Sequence, residues 1–363
     1  MSEKRITNLD GVRGIAIILV VLFHTFARHP ESIPWATEFD KFPIFKLGFL
    51  GVQLFFLISG FVIYMSLENS KSIGQFLLKR WLRLFPAMLI GTILLYGYFT
   101  IQSHSNNGAL PKTINLFPGL LFLEPSWISM LMNEKVYPLE ASFWSLFIEV
   151  KFYVFFGLAY FYFKKQAIYL LTISFLFSFF INTLVYCHMG QHIPWLIIDS
   201  TNTLKHFGWF ASGAWFYLYF QSQHTKYYIA SALVAAASSL YMGFESYYLG
   251  YGKGIGVSVG AFIIFLIFII SFKSQVFKSI FSSKFFIFFG FISYPLYLIH
   301  ESMLVSFTIA IHSVFPGIPG LLTPIIPILI LIFFTFLIAK YAEPLFRRFL
   351  LSLFNFNLMY KTP

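Results

Sequence analysis

The stretch RGIAIILVVLFH, residues 13–24, decides how the rest of the chain is read. An arginine opens it, a histidine closes it, and only apolar residues and one glycine stand between them. At 100° per residue the eleven steps make three turns plus about 20°, so on a helix Arg13 and His24 share one face about 16 Å apart along the axis. That geometry leaves room for a slender ligand of similar length to run between a cation and a titratable ring.

Composition sets the solvent. The 363 residues are 58% hydrophobic, 21% aromatic and 11% charged, and mean hydropathy is +0.76. A soluble domain is about half apolar and a quarter charged, so the bilayer is the main solvent of this chain. The net charge of +11 lies between hydrophobic runs rather than in a stripe, which excludes a nucleic-acid surface. The single cysteine, Cys187, excludes an intrachain disulfide framework and a cysteine metal cage. Lys4 and Arg5 precede the first apolar run as in a signal peptide, but no small-residue cleavage site follows Phe26, which predicts an uncleaved first span.

Apolar runs of about 20 residues cross a bilayer as helices. They predict an all-α polytopic bundle of about ten spans, near 7–27, 47–67, 84–101, 141–163, 166–186, 203–220, 226–243, 254–272, 286–310 and 320–341. The third is short, and FLLKRWLRLFP before it reads as an interfacial turn broken at Pro86. With the N-terminus inside, seventeen lysines and arginines fall on the cytoplasmic side and seven outside, which places both termini in the cytoplasm. Residues 1–352 form a single membrane domain, followed by a short cytoplasmic tail over 353–363. The longest outer connection, 102–140, carries NLFPGLLFLEPSWISM, too broken by Pro118 and Pro125 to span and expected at the interface.

Ionisable groups at membrane depth are costly and mark function by default. His24 suits general base work near neutral pH, or else bonds a neighbouring helix. Glu149 in FWSLFIEVKFY needs a partner, and a histidine that it orients, or whose cation it stabilises, is the natural one. Lys151 is too close in sequence to face it on one helix and is expected to snorkel or pair across helices. Arg80 and Arg83 stand on one face at the cytoplasmic surface, as phosphate-binding forks or as topological anchors, and Arg13 has the same two readings. In the ninth span Ser293, Tyr294, Tyr297 and His300 offer hydroxyls and a ring for an acceptor or an oxyanion. Trp35, Trp127 and Trp195 either stack on sugars or anchor the interface.

Three other signals carry little. CHMGQH at 187–192 spaces His188 and His192 as metal ligands but lacks a convincing third, so no metal is expected. GYGKGIGVSVG at 250–260 opens a span with no strand before it, which favours helix packing through Gly256 and Gly260 over a phosphate loop. There is no G-x-S-x-G elbow of a serine hydrolase.

Taken in order, LDGVRGIAIILVVLFH, GVQLFFLISGFVI, LLKRWLRLFP, FWSLFIEVKFY, ISYPLYLIH and YAEPLFRR resemble the landmarks of acyltransferase family 3, integral-membrane enzymes that modify extracytoplasmic carbohydrates. The resemblance runs from about residue 8 to 348. It implies that His24 is catalytic with Glu149 in support. It also implies that Arg13, Arg80, Arg83 and Ser59 handle the acyl donor, and that Trp144 and Ser145 belong to the Trp-Ser-Leu…Glu motif, with a role expected toward the acceptor or an oxyanion. Relatives often carry a second acidic residue after that glutamate, where this chain has Val150 and Lys151. Many also carry an esterase-like C-terminal domain; this chain stops about twenty residues after its last span, so its own outer loops are expected to bind the acceptor.

The implied reaction takes an acetyl group from cytoplasmic acetyl-CoA, with no tightly bound cofactor, to a hydroxyl of an extracytoplasmic carbohydrate. The donor's phosphates would sit on the arginines and its arm would run along the apolar stretch to His24, acting as general base or transient acyl carrier. Family habit points to a bacterial surface polysaccharide such as lipopolysaccharide O-antigen, and to the inner membrane. Two other classes fit ten spans with buried charge: a transporter or flippase of a lipid-linked or small solute, although no internal repeat is evident, and an acyltransferase for a small-molecule acceptor.

Overall fold

The ten apolar stretches fold as ten helices in the computed structural model of the chain: α1 (Thr7–Phe26), α2 (Gly51–Glu68), α3 (Ile73–Ser105), α4 (Trp144–Phe163), α5 (Ala167–Tyr186), α6 (Phe207–Ser222), α7 (Thr225–Tyr248), α8 (Gly254–Lys273), α9 (Lys284–Val314) and α10 (Ile325–Leu337). The structure describes residues 6–353 except 30–32, 34, 40, 106–109, 188, 190–191 and 251–253. Among the described residues there is no strand. The expected tail, from residue 354 onward, and His188 lie outside them.

Among the described residues, eight helical stretches are long and apolar enough to cross a bilayer. One of them, Ala141–Tyr186, has 46 residues, far more than a hydrocarbon core of about 30 Å needs. It turns back at Lys164, where φ is +52°, and so divides into α4 and α5. α6 has only 16 residues, and every one from Phe207 to Leu218 is buried. A helix apolar all round belongs in the interior, and α6 packs there against α2.

Two seams set the helix positions. A Cβ on Gly60 would lie 2.0 Å from the Phe210 carbonyl oxygen and one on Gly213 1.9 Å from that of Leu57, and contacts advance together from Phe56–Phe210 to Glu68–Tyr217, so α2 and α6 run parallel in backbone contact. Cβ atoms on Gly14 and Gly290 would meet the carbonyl oxygens of Phe286 and Asp10 at 2.1 and 1.9 Å. α1 and α9 therefore lie side by side and parallel, as small residues in membrane helices allow. This second seam brings the middle of α9, at His300 and Glu301, to His24 in the last turn of α1.

Two expectations are corrected. Pro86 does not break the third helix: α3 runs unbroken through it for 33 residues. The helix loses only the bond to the Leu82 carbonyl there, and the turn is braced from α9, where the Tyr294 hydroxyl donates to the nearby Leu84 carbonyl at 3.0 Å. Gly256 does not mediate packing, since no atom lies within 4 Å of its Cβ position; Gly260 does, against Leu47 and Leu50, and Gly243 packs on Gly254. The broken segment at 113–132 forms only short helices, Phe117–Leu121 and Pro125–Met132.

Candidate active site

Polar side chains gather at two levels of the bundle. Nearer the Arg13 end, α2, α3, α4 and α9 enclose a cavity of about 700 Å³, part of it open to solvent. Arg13, Arg80, Arg83, Ser59, Glu149 and Tyr153 line it at one end, Ser145 and Tyr297 at the other. Because α3 continues through Pro86, Arg80 and Arg83 point into this space rather than anchoring an interfacial turn. Glu149 accepts hydrogen bonds from the Ser59 and Tyr153 hydroxyls, each at 2.5 Å. Arg80 donates to Ser66 Oγ at 2.9 Å, and Arg13 stands 3.6 Å from Asp10. Three guanidiniums and one carboxylate, Glu149, line the cavity, with Asp10 beside Arg13 and Glu343 near Arg83 outside the lining, so the lining itself carries an excess of positive charge suited to a phosphate-bearing ligand.

The apolar stretch of α1 does not line this channel; Arg13 is its one contribution from α1. Ile18, Val21 and Leu22 instead border a separate apolar cavity with α9 and α10. The Tyr297 hydroxyl donates to the Ser142 carbonyl at 3.0 Å and sits 2.7 Å from Ser145 Oγ. Ser145 Oγ also lies 3.3 Å from the Ser142 carbonyl, so the two hydroxyl protons are shared among that carbonyl, Ser145 and Tyr297. Both hydroxyls are committed, and neither serves an oxyanion until one of them turns.

His24 lies beyond that end. Its Nδ1 is 2.9 Å from the Val20 carbonyl and 3.1 Å from His300 Nε2, while His300 Nδ1 is 2.9 Å from the Tyr297 carbonyl. Carbonyl oxygens only accept, so Nδ1 of each ring carries a proton. His300 Nε2 then accepts from His24 Nδ1, which leaves Nε2 as the His24 nitrogen at which a proton can come and go. It faces Glu301 Oε1 at 3.5 Å, an acceptor that stabilises Nε2 when it carries a proton, and His29 Nε2 approaches the same oxygen at 3.7 Å.

The carboxylate beside the histidine is therefore Glu301, not Glu149. The reason is geometric: α4 points Glu149 into the arginine cavity, whereas the parallel α1–α9 seam carries Glu301 to the end of α1. A second acid flanks it. Glu140, buried just before the turn Ala141–Phe143, accepts from the Ser302 amide at 3.2 Å and hydroxyl at 2.9 Å. Burial and the neighbouring Glu301 push its carboxyl up to about 8. The apolar-run rule that flags Glu149 applies equally to Glu301 in YLIHES, so that residue is findable from sequence; Glu140 and His29 lie in loops and give no such signal.

The remaining site residues separate. Ser293 and Tyr294 line the arginine cavity. His300 is fully buried and is the acceptor of the His24 proton. Trp144 joins neither cluster and lines a third cleft, with its ring 5.2 Å from that of His206. Lys151 does pair across elements, forming an ion pair with Glu124 and donating to Thr203 Oγ1 at 3.1 Å. Among the described residues no group of His, Cys, Asp and Glu has metal-site geometry.

The acyltransferase domain family matches residues 6–341. Over 171 residues, 42% of this chain, it is 28% identical to the peptidoglycan O-acetyltransferase OatA of Listeria monocytogenes. It is also 28% identical over 164 residues to a putative O-acetyltransferase of Staphylococcus aureus (strain COL). The chain spans about a quarter of the length of each of these (24%). A Rhizobium radiobacter protein described as protein 2 in the picA locus is 30% identical over 166 residues, 40% of this chain and 78% of the relative. No solved structure matches the chain. With the match running from the start of α1 to beyond α10, the chain belongs to acyltransferase family 3.

Proposed function

We propose that the chain is a membrane O-acetyltransferase that moves an acetyl group from cytoplasmic acetyl-CoA to a hydroxyl of an extracytoplasmic glycan, with a surface polysaccharide such as lipopolysaccharide O-antigen as acceptor. The observation that carries this reading is His24 Nε2, the ring's proton-exchanging nitrogen, beside the Glu301 carboxylate, in a bundle whose other polar site is a cation-rich cavity. The O-acetyltransferase names of the relatives support the acyl group, and the peptidoglycan of one of them supports a glycan acceptor.

The donor's phosphates bind Arg13, Arg80 and Arg83, and its arm extends through the cavity toward Ser145 and Tyr297. Opening the Ser145–Tyr297 hydrogen bond brings the thioester to His24. Nε2 takes the proton of the acceptor hydroxyl, the oxygen attacks the thioester carbonyl, and the carbon–sulfur bond breaks. The imidazolium, held by Glu301, returns its proton to the departing thiolate, so protons balance across the step. In the two-step alternative unprotonated Nε2 attacks the thioester carbonyl and the carbon–sulfur bond breaks with release of the thiolate. The acceptor oxygen then takes the acetyl from Nε2, breaking the carbon–nitrogen bond, and its proton ends on the thiolate; trapping of acetyl on the enzyme in a single turnover separates the routes.

The test is acetyl-ester content of surface polysaccharide and peptidoglycan from wild-type cells, a gene deletion and a well-expressed His24→Ala variant. Loss of a general base costs about 10²–10⁴ in rate, so ester should vanish from one glycan in deletion and variant alike. Full acetylation in the variant would remove His24 from the mechanism. Loss from peptidoglycan alone would reassign the acceptor.

A further inference from the structure

The cleft that takes Trp144 belongs to neither polar cluster. It lies between the short helix Pro125–Met132, the start of α4 and the helix Trp195–Leu204, and encloses about 700 Å³, part of it open. Trp144 presents a ring 41% exposed to it. Asp199 and Asn202 line it as exposed side chains, and neither has a side-chain hydrogen bond to another described residue. Its walls are braced by Lys151, which ties Glu124 on one side to Thr203 on the other and lies 4.7 Å from the Trp127 ring centre.

We infer that this cleft is a subsite for the glycan acceptor, holding sugar residues that flank the one being acetylated; the inference rests on the acyltransferase reading above. An exposed indole offers a flat apolar face to the C–H side of a sugar ring. A carboxylate and an amide beside it accept and donate to ring hydroxyls. With Lys151 neutralised by Glu124, Asp199 leaves the lining net negative, which favours a neutral sugar over a phosphate.

Position supplies the second argument. Pro138, Ala141 and Trp144 line the cleft. Their neighbours Glu140, Ser142 and Ser145 bond Ser302 and Tyr297 on α9, the helix that holds Glu301 against His24. One segment, residues 138–148, is thus the common wall of cleft and reaction centre, about one helix diameter or 10 Å thick. A chain of sugars with one hydroxyl at His24 reaches the cleft with its neighbours, and a single sugar does not.

The test is binding, without turnover, to the full chain in nanodiscs. The probes are oligosaccharides of one and four repeat units prepared from de-O-acetylated host surface glycan. The double variant Asp199→Ala/Asn202→Ala should bind the four-unit probe about tenfold more weakly, for two lost hydrogen bonds, with one-unit affinity unmoved. Coenzyme A affinity on the same preparations reports folding, and a variant that fails it is replaced by Asn202→Asp, which should shift the same ratio in the same direction. Equal four-unit affinity in wild type and variant, or equal loss for both probes, overturns the subsite. Ester retained by His24→Ala cells would instead overturn the reaction, and the two failures read out separately.

Discussion

The arginine cavity and the histidine cluster are both polar islands in an apolar bundle, and they are built in opposite ways. In the cavity three guanidiniums and one carboxylate line an open space. In the cluster His24, His300 and Glu301 are buried and satisfy one another with little room to spare. Uncompensated charge in a low-dielectric setting is costly unless a partner arrives, so the first island is made for a ligand. A balanced, closed set of donors and acceptors fixes one tautomer and one ring orientation, so the second is made for a proton. Losing a member of the first should cost affinity, and losing a member of the second should cost rate.

The sharpest way to break this contrast is to neutralise each island's glutamate in turn. Glu301→Gln keeps shape but removes the negative charge that faces His24 Nε2. We expect kcat to fall about 10²-fold, in the range seen when a charge-stabilising group is removed, with the donor KM near wild type. Glu149→Gln should do the reverse, moving donor KM while leaving most of kcat. Steady-state kinetics on both variants against acetyl-CoA decide it; a kcat defect confined to Glu149→Gln would restore the pairing with Glu149 suggested by the sequence alone.

Within the cavity, the fork of an arginine matters beyond its charge. Arg83→Lys preserves the positive charge and loses planar, two-point hydrogen bonding. One such contact to an anion is worth about 1.5–3 kcal/mol, so donor KM should rise by about tenfold or more while kcat holds. Equal kinetics in wild type and the Arg83→Lys variant would mean that the group only sets topology.

The helices are legible because hydropathy reports burial in lipid directly, and even the short sixth stretch appears as α6. What fails is any feature that depends on how helices face one another. Pro86 reads as a breaker by backbone propensity, yet α3 runs straight through it with Tyr294 bonded to the same turn. The Arg13–His24 register holds, but the channel runs along another wall, because periodicity gives a face and not its neighbour. Pairing Glu149 with His24 fails for the same reason: two titratable groups in two spans attract on paper. Contact between them is settled by the glycine seam of α1 and α9, whose partner Gly290 carries no chemistry of its own in the sequence.

The smallest expected effect tests the outer rim of the histidine cluster. Glu140 is pushed up to about 8 from an ordinary 4.5 by burial first and by Glu301 second. Between those two values the folded state keeps a proton that the unfolded state has lost, so stability falls as pH rises from about 4.5 to about 8 and is flat above. Glu140→Gln removes that slope, since its amide never ionises. The melting temperature of wild type in nanodiscs should therefore drop relative to the variant by on the order of a few degrees across this window. Parallel curves would mean that Glu140 is already ionised in the folded protein at neutral pH. Glu301 would then face a second full negative charge, and the cluster would be held together by His24 and His29 in their cationic forms.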